Sequence, residues 1–159
     1  MAAKHPLGCH ERALRLLSVR ARSRRELETR LLRAGFAVEE VRGEMARLEA
    51  VGLVDDEAFS RQVIEHELVR RHSGRRAIVS RLMAKGVARE AIDRALDEAA
   101  GEPDEDRAAE LARSRVRRLG ALTPEQAYAR LVSFLARRGY DPQVARRAAR
   151  EALDADPGD

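Results

Sequence analysis

The chain has 159 residues, of which 44% are hydrophobic and only 3% are aromatic. Its core must therefore be built mainly from aliphatic side chains, which favours packed helices and excludes most all-β folds. Lysine and arginine number 31 against 27 acidic residues, so the formal net charge is +4. This excess favours an anionic partner, although the position of the charge matters more than its sum.

The sequence predicts a cytoplasmic protein. The single cysteine, Cys9, excludes an internal disulfide and suits a reducing compartment. No apolar run approaches the roughly 20 residues that span a bilayer, and the first nine residues contain no apolar core of a signal peptide. We therefore expect no contact with a membrane.

An internal repeat is the most informative feature of the chain. Three segments end at Gly35, Gly86 and Gly139, and each has apolar residues eight and four positions before the glycine and one position after it. The glycines stand about fifty residues apart, as expected for tandem structural units.

Each copy of the repeat predicts three helices. The second helix begins after a capping residue and ends at the glycine, which we expect in the left-handed conformation. The predicted caps are Ser23 in a capping box with Glu26, Ser73, and Thr123 in a box with Gln126. The predicted first helices span 11–22, 56–71 and 104–119, and a third helix follows each glycine. The prediction is an all-α protein of nine helices in three tandem three-helix repeats (11–52, 53–100 and 104–154) that form an elongated, curved array.

The repeat alignment also predicts the core. Six aliphatic residues occupy equivalent positions on the second helices: Leu27, Leu31, Ile78, Leu82, Leu131 and Leu135. The predicted helix 56–71 has a wide apolar stripe with Glu67 near its middle, which suits a helix that contacts two units at once.

Catalytic and metal-binding motifs are absent from the sequence. It has no glycine-rich phosphate loop, nucleophile elbow, His-Glu-x-x-His or Cys-x-x-Cys pattern. We interpret the acidic cluster Asp55–Glu57 as a helix cap rather than a metal site. His5, Cys9 and His10 lack a fourth zinc ligand at matched spacing, and an N-terminus that frays explains them as well. We expect no enzymatic activity, no cofactor and no bound metal.

Basic residues are the candidate binding groups. Residues 70–85 carry a local charge of +6 with no acid among them, which favours a binding patch over a solvated surface. Two further clusters, at 20–33 and 113–118, fit a binding face and an ion-paired surface equally well. The predicted binding residues are Arg70, Arg71, Arg75, Arg76, Arg81 and Lys85, with Arg24 and Arg25 from the first of these further clusters.

The residues resemble those of a known family. Gly52–Phe59, Arg70–Arg71, Gly74, Ile78, Leu82 and Lys85–Val87 look like the central repeat of the RecX regulatory proteins. The first repeat, through Leu14, Leu17, Ser23 and Leu27, and the third, through Phe134–Tyr140, are similar to that family's pattern. The likeness covers residues 11–153. Two positions depart from it, because Val63–Ile64 replace a frequent aromatic residue and Arg81 replaces a common glutamate.

The resemblance implies a function that composition and periodicity do not. A RecX-like protein would be a non-enzymatic monomer that binds the RecA recombinase filament on single-stranded DNA and lodges in its groove. It would reduce ATP hydrolysis, strand exchange and co-protease activity of RecA, and so act in DNA repair, recombination and the SOS response. Direct binding to single-stranded DNA, with double-stranded DNA as an open alternative, is also implied.

Two other functions remain open at this point. Three-helix units resemble helix-turn-helix modules, which would make the chain a sequence-specific binder of duplex DNA. The chain has no asparagine and only Gln62, Gln126 and Gln143, so bidentate amide readout of adenine is hard to assemble. A scaffold without a nucleic-acid role would bind neither DNA nor DNA-loaded RecA.

Overall fold

The computed structural model of the chain describes residues 7–99 and 101–155. These residues form nine α-helices and no strand, which confirms the all-α prediction. None of these helices is long and apolar enough to cross a bilayer. The helices are α1 (Cys9–Val19), α2 (Arg24–Arg33), α3 (Val38–Ala50), α4 (Asp56–Arg71), α5 (Arg75–Ala84), α6 (Arg89–Glu98), α7 (Asp104–Val116), α8 (Pro124–Arg137) and α9 (Pro142–Asp154).

Two of the three predicted caps begin their helices as expected. The Ser23 hydroxyl accepts from the Glu26 backbone N–H at 3.2 Å, and Thr123 forms a reciprocal box with Gln126. The Glu26 carboxylate, predicted to close the first box, is hydrogen-bonded to two arginines instead. The predicted cap at Ser73 is wrong, because α5 begins at Arg75 and the Ser73 hydroxyl donates to the carboxylate of Glu67.

The first helices of the first and third repeats are shorter at their C-termini than predicted. α1 ends at Val19 rather than at residue 22, and α7 ends at Val116 rather than at residue 119. At the end of α1 the buried Arg22 side chain folds back, and its Nε donates to the carbonyl of Leu16 at 3.1 Å. This bond satisfies a carbonyl that the last turn of a helix leaves without a partner.

A left-handed glycine ends the second helix of every repeat, as predicted. The φ angles are +94° at Gly35, +78° at Gly86 and +87° at Gly139. In each case the residue after the glycine donates its N–H to the carbonyl five residues earlier, as Tyr140 does to Leu135 at 3.2 Å. This is the Schellman motif, which reverses the chain at the end of a helix. Gly52, which the sequence pattern did not single out, has a φ of +74° and ends α3 in the same way.

The chain packs into two compact units. The first contains the residues up to Val63 and Leu82–Glu98, and the second contains Ile64–Arg81 and the residues from Ala99 onward. The second repeat therefore contributes to both units.

The first unit has a core of aliphatic side chains and one thiol. Cys9 is buried at the start of α1, and burial, with the nearby Glu40 and Glu44, raises the pKa of its thiol to about 11. His10 lies beside it and contacts Glu44 at 2.7 Å, so the frayed end predicted for these two residues is wrong. His5 lies outside the described residues. A core cluster of this unit contains Cys9, Ala13, Leu27, Leu31, Val41, Met45, Leu48 and Val54.

The second unit packs α7 against α8 and α9 largely through alanine. Small side chains allow helices to approach closely, which compensates for the few large apolar residues of the chain. A core cluster of this unit contains Ala108, Ala112, Leu135, Tyr140, Ala145, Ala148 and Ala152. Across both units the six predicted core positions on α2, α5 and α8 are fully buried, which confirms the repeat alignment.

We predict that Gly139→Ala destabilises the fold by more than about 1 kcal/mol, because alanine at a positive φ is strained. A Cβ at Gly139 would also overlap the backbone and side chain of Ala77. Gly43→Ala is the matched control, since Gly43 lies inside α3 and a Cβ there meets no atom within 4 Å. This control should stabilise by up to about 1 kcal/mol. Thermal unfolding measures both, and equal midpoints for the two variants would contradict the role of Gly139.

We predict that Leu82→Ala lowers the free energy of unfolding by about 2 to 5 kcal/mol, because it leaves a cavity at a fully buried position. Met83→Ala is the control one residue away, where the side chain is 52% exposed. It should change stability by less than about 0.5 kcal/mol. Urea unfolding measures both, and a loss of only a few tenths at Leu82 would mean that the position is not part of the core.

Candidate functional site

The predicted basic cluster is distributed over both compact units. Its larger part lies in the second unit, on the end of α4, the following turn and α5, and carries Arg70, Arg71, Arg75, Arg76 and Arg81. Lys85, Arg24 and Arg25 lie in the first unit. Each part is described by itself below.

A buried carboxylate organises the part in the second unit. Glu67 is 1% exposed, and its carboxylate accepts a close hydrogen bond from Arg81 and another from the Ser73 hydroxyl at 2.8 Å. The Nε of Arg71 lies 3.6 Å from the same carboxylate. A buried charge is stable only when it is paired and hydrogen-bonded. Arg81 and Arg71 therefore compensate the buried charge of Glu67, a role that the sequence did not reveal.

The remaining arginines of this part are more exposed. Arg76 contacts Asp141 at 3.8 Å, with side chains 64% and 53% exposed, so the pair is weak. The backbone N–H of Arg75 donates to Asp104 at 2.9 Å. Arg70 is exposed and has no ion pair with any residue that the structure describes. Residues 70–85 contain no acid, but Glu67, one turn earlier on α4, and Asp141, at the start of α9, contact arginines of this segment.

The turn between α4 and α5 is held against the turn between α8 and α9. The Gly74 N–H donates to the Arg138 carbonyl at 2.8 Å, and the Arg76 N–H donates to the Gly139 carbonyl at 3.2 Å. In addition, the Tyr140 hydroxyl donates to the His72 carbonyl at 2.9 Å. These bonds fix the backbone from which Arg75 and Arg76 project, so both side chains stand on a rigid support.

The part in the first unit is organised by a second carboxylate. Burial opposes ionisation of Glu26, but the hydrogen bond from Arg20 and the charges of Arg20, Lys85 and Arg22 outweigh it and lower the pKa of Glu26. The Nζ of Lys85 lies 3.9 Å from this carboxylate, and the backbone carbonyl of Lys85 accepts a close hydrogen bond from the Ser23 hydroxyl.

Arg24 and Arg25 differ in how far they are already engaged. The Arg24 N–H donates to Asp56 at 2.8 Å, and its guanidinium contacts Glu49 at 2.7 Å. Arg25 is exposed and has no ion pair with the described residues. Of the two, Arg25 is therefore the better placed to meet a ligand.

The acidic cluster serves as predicted in capping α4. The Asp55 carboxylate accepts from the N–H groups of Glu57 and Ala58 at 2.9 and 3.0 Å. Asp56 instead accepts from Arg24 at the start of α2, a tertiary contact that the sequence did not predict. Within the described residues, no three His, Cys, Asp or Glu side chains converge in a way that could hold a metal ion.

Glu67 and Glu26 are the organising residues that sequence reasoning missed. For Glu67 a signal existed, since a single acid in the middle of an apolar stripe needs a buried partner. For Glu26 the sequence pattern was ambiguous, because a glutamate at this position can either close a capping box or pair with nearby arginines.

Family profiles match the chain in three places that follow the order of the repeats. The first three-helix domain of RecX matches residues 9–48, the second matches residues 55–96, and the third matches residues 103–149. Together these matches cover most of the chain, and the three domains occur in their family order.

Relatives and solved structures agree with these matches. Proteins named "Regulatory protein RecX" from Mycolicibacterium vanbaalenii and Mycolicibacterium smegmatis are 39% and 41% identical over 138 and 137 residues. The matches span 83% of this chain and 75% and 72% of those relatives. The crystal structure of RecX from Lactobacillus salivarius shares the fold, with a TM-score of 0.80 at 17% identity over 91% of this chain and 94% of that one. The chain, with its three tandem three-helix domains, belongs to the RecX family of regulatory proteins.

Proposed function

We propose that this chain is a non-enzymatic cytoplasmic regulator that binds the RecA filament on single-stranded DNA and limits its ATPase, recombinase and co-protease activities. The observation that supports it best is the match of all three RecX domains in chain order. Curated relatives that share about two fifths of their residues carry the name of a regulatory protein. We take RecA as the partner from the family resemblance.

The exposed arginines of the second unit are the proposed contact groups. Arg70, Arg75 and Arg76 lie on the surface, and the bonds around the α4–α5 turn hold them on a fixed backbone. Arg71 and Arg81 are poor choices for a test, because reversing either charge would place a like charge beside the buried Glu67. A filament groove rich in acids and phosphates would attract the exposed set.

We predict that Arg70→Glu with Arg76→Glu raises the concentration for half-inhibition of RecA by about tenfold, since each lost charge contact is worth up to about 1 kcal/mol. The measurement is RecA-dependent ATP hydrolysis on single-stranded DNA with this protein titrated in. Thermal unfolding should show a change of less than about 0.5 kcal/mol, because both side chains are exposed.

Arg146→Glu with Arg150→Glu is the matched control. Both residues are exposed on α9, belong to the same unit and have no ion pair with a described residue, and the change in charge is identical. Inhibition equal to that of the unaltered protein is expected for this pair. If the control loses as much inhibition as the Arg70/Arg76 pair, the proposed contact surface is wrong.

Competition with random duplex DNA separates this function from that of a helix-turn-helix repressor. A regulator of RecA should have no preferred site, whereas a sequence-specific protein binds its site about 10³-fold or more above random DNA. No inhibition of RecA by the unaltered protein, together with a preferred duplex site, would reverse the conclusion.

A further inference from the structure

A basic cleft lies in the first unit between α1 and α2, beside the end of α5. Its volume is about 520 Å³. Five cationic side chains and one carboxylate line it. The carboxylate, Glu26, accepts hydrogen bonds from Arg20 and Arg22 and also lies 3.6 Å from Arg30 and 3.9 Å from Lys85. The cations are Arg12, Arg25, Arg30, Arg33 and Lys85.

A second basic cleft lies in the second unit between α7 and α8. Its volume is about 430 Å³, and no acid is among its lining residues. The cations are Arg115, Arg130 and Arg137. The Arg115 guanidinium lies 4.7 Å from the centre of the Phe134 ring, which also lines the cleft. This cation–π contact holds the guanidinium in place.

The two clefts occupy equivalent positions of the first and third repeats. Each α8 residue that lines the second cleft has a counterpart on α2 in the first cleft. The two residues of each pair are as far apart in the chain as Gly35 and Gly139. The first helices are aligned by their buried residues Cys9 and Ala112. With this alignment the α7 residues of the second cleft correspond to α1 residues of the first. Every residue of the second cleft thus has a counterpart in the first. Among these pairs are Arg12 and Arg115, Leu16 and Leu119, Thr29 and Ser133, and Arg33 and Arg137.

The middle repeat differs at the same positions. By the spacing of Gly35 and Gly86, Glu67 stands where the other repeats have Leu16 and Leu119, and Arg81 stands at the position of Arg30. Glu67 and Arg81 are bonded to each other. The first helix of the middle repeat therefore places a carboxylate at this position. The first helices of the other two repeats place a leucine there and an arginine one turn earlier. In the first cleft Glu26 lies near Arg30 and Lys85, but Arg12 and Arg33 have no ion pair with a described residue. The second cleft has no acid in its lining.

The donors of the clefts fit phosphate. Arg12, Arg33, Arg130 and Arg137 are exposed and have no ion pair with any described residue. Each cleft also has a hydroxyl residue at the same repeat position, Thr29 or Ser133. Guanidinium and hydroxyl groups are the usual donors to backbone phosphates.

We propose that each cleft binds a backbone phosphate of single-stranded DNA. Three donors recur at equivalent positions of the two clefts: an arginine on the first helix, and a hydroxyl residue and an arginine on the second. A chain that presents these donors twice suits a polymer that repeats one anionic group, and a nucleic-acid backbone is such a polymer. The choice of DNA over an acidic protein surface rests on the proposed function, whereas the assignment of the clefts rests on their geometry. These residues lie outside the Arg70/Arg76 surface, so DNA and RecA would meet different parts of the molecule.

The experiment measures binding of the full chain to a labelled thirty-residue oligothymidylate at several salt concentrations, without RecA. The variants are Arg12→Gln with Arg33→Gln for the first cleft and Arg130→Gln with Arg137→Gln for the second. Each lost phosphate contact reduces the slope of log K against log salt by about 0.7, and each cleft binds one phosphate, so each pair should flatten the slope by about 0.7. The control, Arg146→Gln with Arg150→Gln, should flatten it by less than half as much, and circular dichroism checks the fold of all three.

Three results would overturn the assignment. The control pair could flatten the slope as much as the cleft pairs, which would mean diffuse attraction by the whole basic surface. Both cleft pairs could leave the slope unchanged, which would mean that phosphates bind elsewhere. Labelled polyglutamate could bind more tightly than the oligonucleotide and lose affinity in the cleft pairs, which would make an acidic protein the ligand. Since RecA is absent, none of these results is confused with a failure to inhibit RecA.

Discussion

The left-handed glycine at the end of the second helix is the constraint on which each repeat depends. Gly35, Gly86 and Gly139 each reverse the chain at the end of the second helix, and in the first and third repeats the third helix then packs against the first two. Only glycine adopts this conformation without strain, and the space at Gly139 is already filled by Ala77. With so few aromatic residues, the chain cannot fill gaps with large side chains. The helices must therefore approach closely, and the direction of each turn decides whether leucine and alanine meet.

The second requirement of the fold is to place its many charges. Glu67 is buried with Arg81, Arg71 and Ser73, and Glu26 accepts from Arg20 and Arg22. Glu67 joins α4 to α5, and Glu26 joins α2 to the segment before it and to Lys85. Some of the arginine side chains therefore stabilise the fold itself. The arginines left on the surface are those that a partner can meet, and they are fewer than the sequence suggests.

Repetition relates structure to function in this family member. The first and third repeats keep a basic cleft between their first two helices, while the middle repeat fills the same position with a Glu67–Arg81 pair. The same positions of the repeat thus carry different side chains in the middle repeat. Glu67, at a position where the other two repeats have leucine, is buried and hydrogen-bonded to Arg81. A buried carboxylate requires such a partner.

The sequence by itself determined the helical class, the repeat, the glycine turns and the aliphatic core, because these depend on local conformational preference and on periodic burial. It also determined the family, through short patterns in a particular order. Only the tertiary structure decided which arginines are engaged. Residues 70–85 contain no acid, yet Glu67 and Asp141 lie beside their arginines. Asp141 is far away in the chain, and Glu67 meets Arg81 only because α4 and α5 pack together. Ser73 was predicted to cap α5, but its hydroxyl donates to the buried Glu67 carboxylate, whose burial the sequence does not show.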